Sequence, residues 1–432
     1  MIQPRFRGWG TSLAWWAHVA GRFPDDLRGE LMGKVFGRGD GLGLNIVRYN
    51  IGGGEQPGIT HLASRAAVPG FQPVEGKWDW GADVYQRRIL KECRELGVDF
   101  VEAFGNSPPW WMTKSGSVTG DEDGRGNLRE ERVGDYAEYL ARVVWYFREK
   151  EGMEFQTLAP MNEPLGTWWR LGKHQEGCVV PPEQQSRLVV ATREALDRYG
   201  LRTAVTGPEG NRISHTMRAL RGYRGEAWKA LGHVNTHTYH ADGSEALREL
   251  VEKKEKRLWV SEYGDGDSSG MRLAARIIAD LRVLRPEAWV YWQAMDNGGW
   301  GLLSHPQFSN MKREIRAHEH GAHELRAKYH VMRQFTSHLR PGCRLVDSSL
   351  ENSVAAFDPR KREMSLLVLN PAESVQQLTF TLAGAVLKGK TLQATLVDAE
   401  GKVVSGPPVG CEEDSEQIGV PARSLLAVRV TG

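Results

Sequence analysis

Two short segments of this 432-residue chain end in a glutamate that could act on a bond: Ala159-Pro160-Met161-Asn162-Glu163-Pro164 and Leu258-Trp259-Val260-Ser261-Glu262-Tyr263-Gly264. Each glutamate closes a run of β-forming residues. Hydrolysis of a glycosidic bond needs such a pair, one carboxylic acid to protonate the leaving oxygen and one carboxylate to attack or to activate water. Taken singly, either glutamate reads equally well as a surface charge at a strand end. Fifteen tryptophans, more than the tyrosines or the phenylalanines, add a second hint, because a flat indole face matches the C–H face of a sugar ring. Trp110, Trp111, Trp168, Trp169, Trp292 and Trp300 fall at or after strand-like runs and are candidates for stacking, Trp111 and Trp292 first. Trp9, Trp145, Trp228 and Trp259 read as core or helix packing.

For the two glutamates to meet, the elements carrying them must converge. From residue 1 to about 340 the sequence alternates β-rich runs with longer amphipathic stretches, the pattern of βαβ units around a parallel sheet. The runs lie near Arg7–Ser12, Leu42–Ile51, Val98–Phe104, Phe155–Met161, Thr203–Gly207, His233–Tyr239, Leu258–Tyr263 and Ala288–Ala294. Between them, Val84–Leu96, Tyr136–Lys150, Pro182–Tyr199, Ser244–Lys256 and Met271–Leu284 repeat apolar residues at three and four, as helices do. Eight units predict a closed (β/α)8 barrel over residues 1–340, although an open doubly wound sheet would show the same alternation. In the barrel, Glu163 and Glu262 end strands four and seven and therefore face the same mouth. Beyond about Arg340, Ser353–Phe357, Met364–Leu369, Leu378–Leu382, Thr391–Val397 and Ser424–Val430 alternate apolar and polar residues between turns. They predict an antiparallel β-sandwich over 341–432. It contains no tryptophan, so its expected role is packing against the barrel rather than binding sugar.

Further segments fall in order on the strand ends: Gly8-Trp9-Gly10-Thr11-Ser12-Leu13-Ala14-Trp15-Trp16, Arg48-Tyr49-Asn50-Ile51-Gly52-Gly53, Asn106-Ser107-Pro108-Pro109-Trp110-Trp111-Met112, His237-Thr238-Tyr239 and Tyr291-Trp292-Gln293. With the two glutamate motifs, they make the chain resemble clan A glycosidases, and specifically glycoside hydrolase family 30. Within that family, the Thr11–Trp16 start and the Ser115–Gly120 stretch resemble the endo-β-1,6-galactanase branch more than the glucosylceramidase or glucuronoxylanase branches. The resemblance implies a retaining hydrolase with Glu163 as acid/base and Glu262 as nucleophile, acting on β-1,6-galactan side chains of arabinogalactan. Another β-glycoside (glucan, xylan, or a terminal galactose or glucose) and a catalytically silent sugar binder are the alternatives. It also implies that Arg48 sits beside Glu262 and that Tyr239 donates to it, both lowering its pKa. Asn162 would bond the sugar 2-hydroxyl, and His237, Trp110, Trp111, Trp168 and Trp292 would help bind substrate. One departure is that family members carry an N-terminal segment that joins the side sandwich, whereas this chain reaches its first barrel strand almost at once.

The remaining features mostly exclude. Lys and Arg number 56 against 54 Asp and Glu, a formal charge of +2, which argues against a nucleic-acid partner and suits a neutral oligo- or polysaccharide. No run of about 18 apolar residues could span a membrane. Met1–Arg7 lacks the features of a signal peptide, so the expectation is a secreted mature chain, with a cytoplasmic location as the alternative. Cys93, Cys178, Cys343 and Cys411 are too scattered for a disulfide framework or a zinc site; a Cys343–Cys411 pair stays open. Gly37–Gly41 and Gly52–Gly54 lack the flanking strand and helix of a phosphate loop. Asp121–Gly126 places Arg125 at a ligand position of the calcium loop it mimics. His318, His320 and His323 lack metalloprotease spacing. No cofactor or metal is expected, and the protein is expected to be a monomer.

Overall fold

The computed structural model describes residues 5–59, 61–309, 323–383 and 386–432; His318 and His320 lie outside them. Eight parallel strands close into a barrel, each hydrogen-bonded to the next and the last to the first: β1 (Gly8–Ser12), β2 (Ile46–Asn50), β3 (Phe100–Phe104), β4 (Thr157–Ala159), β5 (Ala204–Arg212), β6 (Leu231–His240), β7 (Arg257–Tyr263) and β8 (Ala288–Gln293). Closure rules out the open doubly wound sheet. Among the described residues ten α-helices accompany them: α1 (Trp16–Ala20), α2 (Asp25–Phe36), α3 (Val84–Glu95), α4 (Val133–Glu151), α5 (Pro182–Arg198), α6 (Ile213–Gly222), α7 (Gly225–Ala230), α8 (Ser244–Lys253), α9 (Met271–Ala279) and α10 (Ala327–His338). α4 shows how local chemistry sets an end. Gly152 adopts φ 63 and returns its N–H to the Phe147 carbonyl, a left-handed cap that glycine reaches without steric cost. Among the described residues no helix is long and apolar enough to cross a membrane.

Side-chain alternation along the strands fills the barrel in layers. Outward residues such as Val47, Val101, Val234, Val260, Trp289 and Tyr291 join the helices in one large core. Inward residues form a floor of Ile46, Phe100, Trp259, Ala288 and Val290, and a roof containing Ala14, Phe104, Ala159 and Trp292. Between floor and roof lie polar and charged groups, and this middle layer supports the site.

The C-terminal region holds two antiparallel sheets. One follows the order β11 (Arg344–Val346), β12 (Ser353–Asp358), β13 (Glu363–Asn370), β19 (Ser424–Thr431), β15 (Thr391–Asp398) and β16 (Val403–Ser405), with β17 (Val409–Gly410) also on β15; the other pairs β14 (Gln376–Phe380) with β18 (Glu416–Val420). β9 (Leu303–Ser304) and β10 (Glu324–Leu325) form a small separate ladder after β8. Among the described residues the sandwich is lopsided, seven strands against two, and four of its short strands escaped the sequence pattern because they span few residues. Period-two alternation assigns each face of the large sheet. Val354, Ala356, Leu367, Leu369, Leu425 and Ala427 join the barrel core, whereas Val368, Leu426, Val428 and Val430 pack with Leu378, Phe380 and Ile418 of the small sheet. Cys343 belongs to the first cluster and Cys411 to the second, so the sheet separates them, and all four cysteines are free. The N-terminus contributes an isolated bridge from Arg5 to Arg344, and Phe6 donates its N–H to the Cys343 carbonyl at 2.8 Å.

Because barrel and large sheet share one core, they should unfold together. Leu367→Ala empties a fully buried position at that junction and is expected to cost about 2–5 kcal/mol. Urea denaturation followed at once by tryptophan fluorescence and circular dichroism should show a single transition at lower urea; two separated transitions would refute the shared core.

Candidate active site

The middle layer is built by strand periodicity. On β6, His233, Asn235, His237 and Tyr239 are two residues apart and therefore point into the barrel one above another. On β2 and β3 the same rule aims Arg48 and Glu102 inward from facing positions, since the two residues pair directly. Glu262 reaches the interior through an irregularity. Thr236 pairs with Val260 but His237 pairs with Glu262, so β7 gains a residue and both Ser261 and Glu262 can face the barrel axis, as a β-bulge allows.

Arg48 is wholly buried and meets three carboxylates: Nε lies 3.0 Å from Glu102 Oε1, Nη2 3.1 Å from Glu209 Oε2 and Nη1 3.0 Å from Glu262 Oε2. Glu102 also accepts from Thr157, Thr206 and Asn235, and Glu209 from Ser261 at 2.6 Å. Burial alone would raise the Glu209 carboxyl, but the Arg48 charge and the hydrogen bond from His237 bring it down to about 2. Burial likewise disfavours a charged His237, yet Glu262 and the bonds to Glu163 and Glu209 raise it to about 10. His237 therefore adds stability that is complete below about pH 6.5 and lost as pH climbs through about 10, while the Glu209 contribution is present above about pH 4.5 and lost as pH falls toward 2.

Above this layer stand the two glutamates. Glu163 has φ 46, a left-handed backbone unusual for a side chain of this size. Three hydrogen bonds hold it there: its N–H donates to the Glu209 carbonyl at 2.9 Å, and its own carbonyl accepts from Gly166 N–H at 2.8 Å and from Trp169 Nε1 at 3.0 Å. Its Oε1 accepts from Asn211 Nδ2 at 2.5 Å. Glu262 Oε1 accepts from Tyr239 Oη at 3.0 Å. The expected lowering of the Glu262 pKa is not what the surroundings produce: burial pushes it up and Glu163 adds to the rise, against the pull of His237 and Arg48. Glu163, His237 and Glu262 each place one oxygen or nitrogen within 4.8 Å of the others. Within the trio, His237 Nδ1 is hydrogen-bonded to Glu163 Oε1 at 3.2 Å and lies 3.5 Å from Glu262 Oε1.

The glutamates open into a cavity of about 270 Å³. Of the residues expected to contact substrate, Asn162, Tyr239 and Trp292 line it, together with Trp15, Trp169, Trp300 and Gln293. Asn162 Oδ1 and Gln293 Oε1 are buried and have no partner among the described residues, as acceptors waiting for hydroxyl groups would be. Trp15 meets Trp292 edge-on at 5.4 Å. Arg48 and His237 do not line the cavity; both are fully buried and contact the glutamates, Arg48 at Glu262 and His237 at Glu163. Trp110, Trp111 and Trp168 are also absent from its wall. Trp110 and Trp111 donate their indole N–H groups to Pro73 and Gln72, and Trp168 stacks on His215. Sequence reasoning passed over Glu102, Glu209 and Glu176. Glu102 was visible as a lone acid in the apolar run Phe100–Phe104, and Glu209 as a third strand-end glutamate. Glu176 lines the cavity, accepts from Gly53 N–H at 2.9 Å and is pushed by burial up to about 8; nothing in its local sequence marks it.

The chain is similar to known proteins along most of its length. The family model described as O-glycosyl hydrolase family 30 matches residues 8–254. An endo-beta-1,6-galactanase of Hypocrea rufa is 30% identical over 410 residues, covering 89% of this chain and 82% of that protein. An exo-beta-1,6-galactobiohydrolase of Bifidobacterium longum subsp. longum is 23% identical over 405 residues, 68% of this chain but 26% of the relative. The crystal structure of a conserved exported protein from Bacteroides fragilis superposes with TM-score 0.82 at 19% identity, covering 99% of this chain and 98% of the other.

Replacing Arg48 by methionine would leave Glu102, Glu209 and Glu262 buried without their shared cation. Arg48→Met is therefore expected to destabilise the fold by about 3–5 kcal/mol, measured as the change in unfolding free energy in urea at neutral pH; a loss below about 1 kcal/mol would show that the carboxylates do not depend on it.

Proposed function

This chain belongs to glycoside hydrolase family 30, and from that premise we propose that it is a retaining endo-β-1,6-galactanase in which Glu163 is the acid/base and Glu262 the nucleophile. The observation that carries the mechanism is the close approach of the two carboxyl groups, with oxygens within 4.8 Å. Retaining pairs lie about 5–5.5 Å apart, whereas inverting pairs are separated by about 6.5–9.5 Å to admit a water. Glu163 protonates the glycosidic oxygen while Glu262 attacks the anomeric carbon, forming a glycosyl ester. Glu163, now a carboxylate, takes a proton from water, and that water opens the ester.

The division of roles follows the contacts. Glu262 is fixed by Arg48 from below and by Tyr239 from the side, which aims one carboxylate at one carbon. Glu163 is fixed through its backbone and keeps Oε1 on Asn211. Trp292 offers an apolar wall to the sugar, and Asn162 an amide beside the acid. The linkage and the sugar rest on the Hypocrea rufa relative, named an endo-beta-1,6-galactanase. Exo action is the second reading, favoured by the name of the Bifidobacterium relative. Glu163, Glu262 and the described residues lining their cavity come from one chain, which supports a monomer, and a polymeric substrate supports action outside the cell. The barrel of residues 1–340 would carry the chemistry and residues 341–432 the packing.

The test is a product profile on β-1,6-galactan, β-1,3-galactan, β-1,6-glucan and xylan. A ladder of short oligosaccharides from β-1,6-galactan alone is expected; release of only mono- or disaccharide would favour exo action, and preference for another polymer would overturn the galactan assignment. Glu163→Gln should lower kcat on the polymer by about 10²–10⁴-fold while sparing the first step on an aryl glycoside whose leaving group needs no proton. Equal loss on both substrates would remove Glu163 from the acid role.

A further inference from the structure

Beneath the two glutamates lies a histidine that the double displacement does not use. His237 Nε2 is 2.9 Å from Glu209 Oε2, and Nδ1 is 3.2 Å from Glu163 Oε1 and 3.5 Å from Glu262 Oε1. A buried ring with carboxylates at both nitrogens is best satisfied as the cation, because only then do both nitrogens donate. Glu209 is itself immobilised, by Arg48 at 3.1 Å, by Ser261 at 2.6 Å and by Asn235 Nδ2 at its other oxygen. The charged and titratable groups around the ring are thus Arg48 from β2, Glu102 from β3 one layer down, Glu163 after β4, Glu209 from β5, Tyr239 on β6 and Glu262 from β7.

We propose that Glu209 is a positioning residue: it holds His237 as an imidazolium whose Nδ1–H is shared by Glu262 and Glu163 and follows the negative charge between them during the reaction. The proposal rests on the retaining reading given above. When Glu262 forms its bond to the anomeric carbon, its charge disappears, and the proton leaving Glu163 for the glycosidic oxygen creates a charge there. When water adds, its proton returns to Glu163 and the released ester restores the charge on Glu262. The donor needs only to tilt between two oxygens that differ by a few tenths of an ångström in distance. No proton leaves the ring, and each carboxylate is stabilised when it is charged.

The ring's protonation can be read directly by ¹⁵N NMR of histidine-labelled free protein, independently of any substrate. At about pH 8, above the ordinary histidine range, wild-type His237 is expected to carry protons on both nitrogens and Glu209→Gln on one. Kinetically, Glu209→Gln should lower kcat on β-1,6-galactan by about 10- to 100-fold, the scale of one charge-assisted hydrogen bond, and should move the alkaline limb of kcat/KM to lower pH. His237→Asn, which keeps a neutral donor near the Nδ1 position, should lose that limb's dependence on position 209 in the double variant. A neutral His237 in the wild type at pH 8 overturns the proposal even if the variants fail to fold, as does a Glu209→Gln enzyme with an unchanged alkaline limb. If wild type does not cleave β-1,6-galactan at all, the substrate assignment fails while the NMR result still decides the role of Glu209.

Discussion

One buried guanidinium carries more of this structure than any other side chain. Arg48 stands at the barrel's centre with no exposure and touches Glu102, Glu209 and Glu262, residues from β3, β5 and β7. Isolated buried charges are costly, and such a cluster persists only when nearly every oxygen and N–H is engaged. Thr157, Thr206, Asn235, Ser261 and Tyr239 supply the remaining donors. The result fixes the nucleophile's carboxylate in direction as well as position, because the planar fork of arginine admits few arrangements.

The same cluster explains why the fold and the site cannot be separated. Its upper members are Glu163 and Glu262, and its lower neighbours are the apolar floor of Ile46, Phe100 and Trp259. The floor excludes water from below, which strengthens the ion pairs above it. Burial also leaves Glu262 less comfortable as an anion than a free glutamate, and a carboxylate poorly stabilised by its surroundings is a better nucleophile toward an electron-poor anomeric carbon.

Much of this was legible in the sequence. The eight β-rich runs and the two strand-end glutamates follow from periodicity and motif spacing, because the barrel repeats one local rule, whereas the pairing of Arg48 and Tyr239 with Glu262 is implied only by the family resemblance. What escaped depends on three dimensions. Glu209 and Glu102 gain meaning only when β3, β5 and β6 curve around one axis. Glu176 comes from a loop whose path no local pattern sets. The tryptophans divided by the same logic: Trp292 ends a strand and faces the cavity, whereas the indole N–H groups of Trp110 and Trp111 are tied to loop carbonyls outside it. Trp15, three residues beyond β1, took a place at the wall that strand counting alone does not distinguish from core.

The central claim is that a carboxylate held by Arg48 attacks the sugar directly, with a second carboxyl within 4.8 Å of it. Proton NMR of the first product formed from a β-1,6-galactan, recorded before mutarotation, tests this most directly. The account predicts that the β-anomer appears first and the α-anomer only later by equilibration. Initial appearance of the α-anomer would mean that water, not Glu262, attacks, and would contradict it.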